Sequence, residues 1–191
     1  SERPPPEVRD ATGRTRVHGI QTWMALPRAE EEREPSFAHH GAASLPRIER
    51  PGVVLSVIAG TAYGERSPVD VFSPTLYVDA QLAVGAAIEV PDEHEQRACY
   101  VVQGRIEIDG KVYEEGQFVV LAPAAGPVSI RALRASRVML AGGAALDGSR
   151  HIYWNFVSST RERIDAARRD WREHRFALVP GDAERIPLPD E

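Results

Sequence analysis

The sequence predicts an all-β domain, a sandwich or barrel of short strands, followed by one C-terminal helix. Short runs rich in branched residues recur between turn residues from position 53 to position 141, a pattern typical of such folds. Within one run, Leu76, Val78, Ala80 and Leu82 are spaced by two, as in a sheet with one solvated face. Near the end of the chain the apolar spacing becomes that of a helix.

Turn residues bound each predicted strand of the domain. Asp109 and Gly110 separate two of the runs, and this dipeptide favours a tight hairpin because both residues tolerate positive φ. The predicted strands are Val53–Ala59, Thr75–Val84, Cys99–Ile108, Lys111–Tyr113, Gln117–Leu121, Val128–Leu133 and Arg137–Ala141.

An earlier strand is predicted where Ile20, Thr22, Met24 and Leu26 alternate with other residues before Pro27. A lone strand needs a partner. The chain begins at serine, and we therefore expect a piece of a longer protein with the partner strands upstream. Without them, the strand would pair with a second copy of the chain as a homodimer or be covered by another part of the chain.

The predicted helix begins near a capping box formed by Ser159 and Glu162. Ile164, Ala167 and Trp171 share one face, which we expect to pack on the barrel as a structural brace. Asp165 and Arg169 are spaced for an ion pair on the outer side of this helix.

Composition limits the classes of partner and compartment. A net charge of −5 and a pI near 5.7 argue against direct binding of nucleic acid or of an anionic membrane surface. The single cysteine, Cys99, is expected to be a buried, inert thiol in a reducing compartment. No signal peptide or long apolar run is visible, and the interpretation is a cytoplasmic protein.

The strand order and glycines resemble those of the cupins, small barrels that hold a metal through a His-x-His pair and a later glutamate. Gly85 and Gly104 stand at the framing glycine positions. Between them, the histidine positions hold Pro91 and Glu93, and the glutamate position holds Arg97. The second cupin motif keeps Gly116 and Pro123, but its histidine is replaced near Val128. The resemblance therefore implies a cupin barrel that has lost its metal ligands.

None of the histidines restores this ligand set. His94 lies one residue out of register, and we expect a solvated loop side chain. The adjacent pair His39 and His40 lies in a predicted linker, and adjacent side chains diverge on an extended backbone. His151 and His174 lack a ligand-spaced partner.

Three segments together resemble the pirin family. They are His18-Gly19-Ile20-Gln21-Thr22-Trp23 running to Leu26-Pro27 and Glu34-Pro35, then Ser73-Pro74-Thr75-Leu76-Tyr77, and then Tyr153-Trp154-Asn155-Phe156-Val157-Ser158-Ser159 leading to Asp170-Trp171 and Phe176. The last segment continues into Pro180-Gly181-Asp182 and Ile186-Pro187-Leu188-Pro189. This resemblance implies a bicupin, with residues 1–50 as a remnant of the N-terminal cupin domain and an interdomain linker. Residues 51–157 would be the metal-free C-terminal cupin barrel and residues 158–191 a helix and tail.

The resemblance also implies a function. Pirins keep Fe(II) or another divalent transition metal in the N-terminal barrel, and several oxidise flavonols such as quercetin. Glu2, in Ser1-Glu2-Arg3, matches the glutamate of their His-x-Glu element, which implies a metal ligand that also accepts a substrate proton during catalysis. The expectation is a quercetin 2,3-dioxygenase in intact form, with this chain alone inactive and metal-free. The alternative is a metal-responsive regulator that binds a protein partner such as a transcriptional regulator.

Overall fold

The computed structural model describes residues 18–122, 127–177 and 186–189. The chain divides into two compact units. Leu26–Asp147 form one, named here the sheet unit, and Ser1–Ala25 with Gly148–Glu191 form the other, named the helix unit. The all-β fold with one C-terminal helix, predicted from the sequence, is confirmed.

The sheet unit consists of strands joined by short turns. Two 3-10 turns, Arg28–Glu30 and Ala42–Ser44, precede them. The strands are β1 (Arg47–Arg50), β2 (Val53–Ala62), β3 (Glu65–Arg66), β4 (Thr75–Leu82), β5 (Ala87–Val90), β6 (Gln96–Gln103), β7 (Arg105–Ile108), β8 (Lys111–Glu114), β9 (Phe118–Leu121), β10 (Val128–Ala132) and β11 (Ser136–Gly143).

These strands form two antiparallel sheets around one core. The larger has the order β1-β2-β4-β11-β6-β9, with β3 paired to β2, and the smaller has the order β5-β10-β7-β8. Inward side chains of both sheets belong to a single apolar cluster, which includes the fully buried Leu55, Val78, Leu140, Ile106 and Ile130. Alternation places every second side chain in this core, and the arrangement is a two-layered, cupin-type fold.

The structure differs from the predicted elements where backbone hydrogen bonding, and not the side-chain pattern, determines where a strand begins and ends. The run Cys99–Ile108 is two strands, because Gly104 has a φ of +92°. The predicted linker contains β1, which pairs along its length with β2. β3 and β5 were not predicted either. Residues 18–27 join no ladder of the described structure, and the strand at Ile20 to Leu26 stays a prediction because its expected partners lie outside this chain.

The helix unit contains the hairpin β12 (His151–Tyr153) and β13 (Phe156–Ser158), followed by α1 (Arg161–Arg172). The helix begins one residue later than the predicted capping box, since Thr160 is the N-cap and its hydroxyl accepts a hydrogen bond from the Arg163 amide at 3.3 Å. Ile164 and Ala167 are buried, as the predicted face requires. Asp165 was predicted to pair with Arg169, but its described ion pair is with Arg168, at 4.0 Å.

Aromatic side chains hold the helix unit together. Trp171 of α1 lies 5.0 Å from Trp154 and 5.5 Å from Phe176 between ring centroids, both in edge-on geometry. Phe156 stacks on Phe176 at 5.7 Å. The Trp171 indole also donates a hydrogen bond of 2.8 Å to the carbonyl of Ile186.

In the part of the chain that the structure describes, no helix has the length and apolarity needed to cross a bilayer.

Candidate functional site

The positions at which cupins carry their first metal ligands lie at one end of the sheet unit. Pro91 and Glu93 belong to the loop of residues 91–95 between β5 and β6, and Arg97 is the second residue of β6. Pro91 is buried and Glu93 is exposed. The loop and the first residues of β6 therefore form the candidate binding region of this unit.

A row of cross-strand partners positions Arg97 inside the fold. Gly60 pairs with Leu76, Leu76 with Gly142, Gly142 with Arg97, and Arg97 with Leu121. Leu76 and Leu121 are 1% and 7% exposed, and the two glycines add no side chain to the row. Along β6, Arg97 shares its face with the core residues Cys99 and Val101 because side chains alternate along a strand. Its guanidinium group thus enters the interior.

Arg97 is a buried cation with two guanidinium nitrogens that make no hydrogen bond. The side chain is 4% exposed, and its Nε and Nη1 atoms have no hydrogen-bond partner in the described structure. Nε carries one N–H bond and Nη1 carries two. Burial of a charge without a partner is strongly unfavourable, which makes this guanidinium the least satisfied group found in the sheet unit.

His94 is a second buried polar side chain in the same loop region. It is 5% exposed, so the prediction of a solvated loop histidine is wrong. Its Nε2 atom lies 3.0 Å from the carbonyl oxygen of Thr61. Because a carbonyl oxygen only accepts, Nε2 must carry the proton in this contact. The other ring nitrogen, Nδ1, is buried without a partner. The bond to Thr61 is the physical reason that the ring turns inward.

Tyr63 follows β2 at this end and was not singled out by sequence reasoning. Its backbone has a φ of 55°, and its hydroxyl donates a hydrogen bond of 2.9 Å to the carbonyl of Glu89. Burial, opposed by the nearby Arg50 charge, raises the pKa of Tyr63 well above its usual value. The phenol is therefore a fixed, protonated group. The only sequence signal for its turn was the following Gly64.

Cys99 has the burial that the sequence predicts. It is 0% exposed, and burial raises the pKa of its thiol to about 12. The thiolate is the reactive form of cysteine. At neutral pH this side chain is therefore an unreactive core group and not a nucleophile.

This pKa predicts an alkaline loss of stability. The unfolded thiol ionises near pH 9.0 and the folded thiol near pH 12, so the unfolded state holds fewer protons between these values. The free energy of unfolding should then fall as the pH rises through this window. Urea unfolding at pH 8 and at pH 10.5 measures the loss, which should be smaller in Cys99→Ala. An identical loss in both proteins would contradict the assignment.

A second arginine of the larger sheet offers a contrast to Arg97. Arg137 of β11 donates two hydrogen bonds to Asp79 of β4, from Nε to Oδ1 at 2.8 Å and from Nη2 to Oδ2 at 2.9 Å. This bonding raises the pKa of Arg137. A groove of about 560 Å³, lined also by Arg50, Gln81 and Gln103, opens beside the pair. The charge of Arg137 is already balanced, whereas that of Arg97 is not.

The described residues do not fit a metal ion. A divalent cation needs neutral nitrogen or anionic oxygen or sulfur donors, whereas Pro91 offers no side-chain donor and Arg97 is cationic. His39, His40, His151 and His174 do not join a cluster either, since no group of three or more His, Cys, Asp or Glu in residues 18–122, 127–177 and 186–189 could hold a metal. Glu2, the ligand implied by the resemblance, and Pro123 lie outside these residues.

Comparison with known proteins identifies the family. The chain is 45% identical to a pirin-like protein of Caulobacter vibrioides over 92% of this chain and 61% of that protein. It is 28% identical to Pirin-1 of Arabidopsis thaliana over 90% of this chain and 49% of that protein. The crystal structure of a quercetin 2,3-dioxygenase from Acinetobacter baumannii matches with a TM-score of 0.78 and 27% identity, covering 87% of this chain and 56% of that chain.

The chain thus spans about half to three-fifths of the length of these relatives. The family model of the pirin C-terminal cupin domain matches residues 77–177, which include β4 after its first two residues, all later strands and α1. This match covers more than half of the chain, and the strand order and register described above supply the fold that it requires. The chain belongs to the pirin family.

Proposed function

We propose that a protein carrying this chain together with the remaining length of its relatives is a metal-dependent flavonol dioxygenase of the quercetin 2,3-dioxygenase type. The observation that carries the proposal is the likeness to the Acinetobacter enzyme of that name, at 27% identity and a TM-score of 0.78. Identity and backbone agreement extend over 87% of this chain, so the likeness includes both the sheet unit and the helix unit.

In this proposal the sheet unit does not carry the oxidative chemistry. Oxidation of a flavonol by dioxygen needs a group that activates oxygen, and side chains alone seldom supply one. Of the three ligand positions, Pro91 has no side-chain donor, Arg97 is cationic, and Glu93 is a single exposed carboxylate, which is too few ligands for a metal site. We therefore expect the 191-residue chain to be inactive by itself and to act as a rigid second unit of the enzyme.

Glu2 is the position for which we propose a direct role. The pirin resemblance implies that its carboxylate is a metal ligand and accepts the proton of the substrate hydroxyl. A carboxylate is a suitable general base when it lies within hydrogen-bond reach of that proton. Glu7, five residues later, has the same charge without the matching motif and serves as a control.

The test compares the 191-residue chain with a form extended at its N-terminus to the length of its relatives. Oxygen-dependent loss of quercetin and bound iron are measured for both. We expect loss of quercetin only in the iron-loaded extended form. Activity of the shorter chain would contradict the proposed division of roles. An iron-loaded extended form that leaves quercetin unchanged would contradict the dioxygenase and favour the regulatory alternative.

The role of Glu2 is tested in the extended form by Glu2→Gln, with Glu7→Gln as the matched control. Removal of a ligating carboxylate should lower metal content and activity by at least about tenfold, as losses of ligand and supporting contacts do. Glu7→Gln should retain both. Equal metal content and equal activity in the two variants would overturn the assignment of Glu2.

A further inference from the structure

The larger sheet ends at β9, and this edge lacks the charged residues that its other edge carries. In the described residues β9 pairs only with β6, and its sequence Phe118–Leu121 contains no charged residue. The opposite edge strand, β1, has Arg47, Glu49 and Arg50 among its four residues. Charged side chains on an edge strand discourage pairing with another chain, whereas an uncharged apolar edge favours it. An added strand is therefore expected at β9.

The hydrogen-bond register leaves part of the β9 backbone available. The Val101 amide donates a hydrogen bond of 3.0 Å to the Gln117 carbonyl. Because bonded residues alternate along an antiparallel strand, Val119 also bonds toward β6, whereas Phe118 and Val120 direct their N–H and C=O groups away from it. Within residues 18–122, 127–177 and 186–189 these groups have no backbone partner on that side.

The side chains of the same two residues form an exposed apolar patch on the outer face of β9. Phe118 is 60% exposed and Val120 is 75% exposed. Phe118 also contacts Tyr100 of β6, with 6.5 Å between the ring centroids. An apolar patch beside unused backbone groups is the combination that a second strand would cover.

A cavity lies on the inner side of β9, next to the same edge. Its volume is about 150 Å³, and it is lined by apolar residues that include Val119, Leu121 and Val128, and also by Asp109 and Lys111 of the β7–β8 hairpin. That volume, roughly that of five water molecules, accommodates a valine side chain. An added strand would place an inward-facing side chain beside Val119, where this space exists.

We propose that β9 pairs antiparallel with β9 of a second copy of this chain, which gives a two-fold dimer. A two-fold axis at Val119 sets Phe118 of each copy opposite Val120 of the other, and the outward N–H and C=O groups of these residues then bond in both directions. Phe118, Val119 and Val120 each meet an apolar residue in this register, and an aromatic residue opposite a β-branched one is a favourable cross-strand pair. This self-complementarity identifies the second copy as the occupant. The inference does not depend on dioxygenase activity.

The test is analytical ultracentrifugation of the 191-residue chain over a wide range of concentration. A four-residue edge is smaller than a standard interface of about 800 Å² per partner, so we expect a reversible equilibrium between monomer and dimer. Val120→Lys should abolish the dimer because it places a charge on the paired strand. Val84→Lys, at a side chain that is 69% exposed and outside the strands, should retain it. A monomer at every concentration would overturn the proposal, and a dimer that persists in Val120→Lys would overturn the role of β9.

Amide hydrogen exchange of the wild-type chain locates the contact without any variant. At low concentration the amides of Phe118 and Val120 should exchange fast and that of Val119 slowly, since only Val119 is bonded to β6. At high concentration all three amides should exchange slowly. A dimer in which the amides of Phe118 and Val120 remain fast would overturn strand pairing, and species larger than a dimer would overturn the two-fold arrangement.

Discussion

Replacement of Gly104 by alanine is expected to lower the free energy of unfolding of the sheet unit by about 2 to 5 kcal/mol. An added Cβ would lie 2.4 Å from the Ser136 hydroxyl oxygen and 2.5 Å from the carbonyl oxygen of Ala135. Ser136 is itself buried and accepts a hydrogen bond from the Arg105 amide at 3.0 Å. The new methyl group therefore meets atoms that are already fixed.

The matched control is Gly85→Ala, at the other framing glycine. Gly85 has a φ of +80°, close to the +92° of Gly104, but an added Cβ would meet nothing within 4 Å. The control should show only the backbone cost of a left-handed alanine, about 1 to 2 kcal/mol. Urea unfolding of both variants separates the steric cost from the conformational one. Equal losses would contradict the close contact at Gly104.

The second large effect is expected for Leu140→Ala, which should cost about 2 to 5 kcal/mol of unfolding free energy. Leu140 is 0% exposed and lies in β11, which pairs with both β4 and β6. Its loss leaves a cavity in the shared core of the two sheets. Val120→Ala, at a side chain 75% exposed in β9, should change stability by less than about 0.5 kcal/mol. Similar losses of unfolding free energy in both variants would contradict the position of Leu140 in the core.

The sequence predicted the strands in which every second residue is apolar and buried, but the solvated second face expected for β4 is wrong in part, since Thr75 and Asp79 on that face are 3% and 7% exposed. The spacing of Leu76 to Leu82 carries that information, and the residues are 0 to 3% exposed in the structure. β5 shows the same alternation at Ile88 and Val90, which are buried, and four residues were too few to be recognised. β1 lies beyond such reasoning, since its four residues have only one partly buried member and its pairing with β2 is a backbone interaction.

At the candidate site, the sequence predicted only that the cupin metal ligands are absent. The motif spacing identified Pro91, Glu93 and Arg97 as departures from a metal-binding pattern. It did not reveal that Arg97 and His94 are both buried with unused donor or acceptor atoms, because inward orientation of His94 depends on the distant Thr61 carbonyl. Likewise, the sequence treats Gly85 and Gly104 as equivalent, whereas the atoms around each differ entirely.

The central claim is that the sheet unit, which carries Pro91, Glu93 and Arg97 at the cupin ligand positions, does not bind a metal ion. It is tested by incubation of the 191-residue chain with Fe(II) or Ni(II), removal of free metal on a desalting column, and measurement of metal per chain. Site affinity depends on several preorganised ligands, and we expect retained metal far below one ion per chain. Stoichiometric retention that disappears in a variant of Glu93 or His94 would contradict the claim.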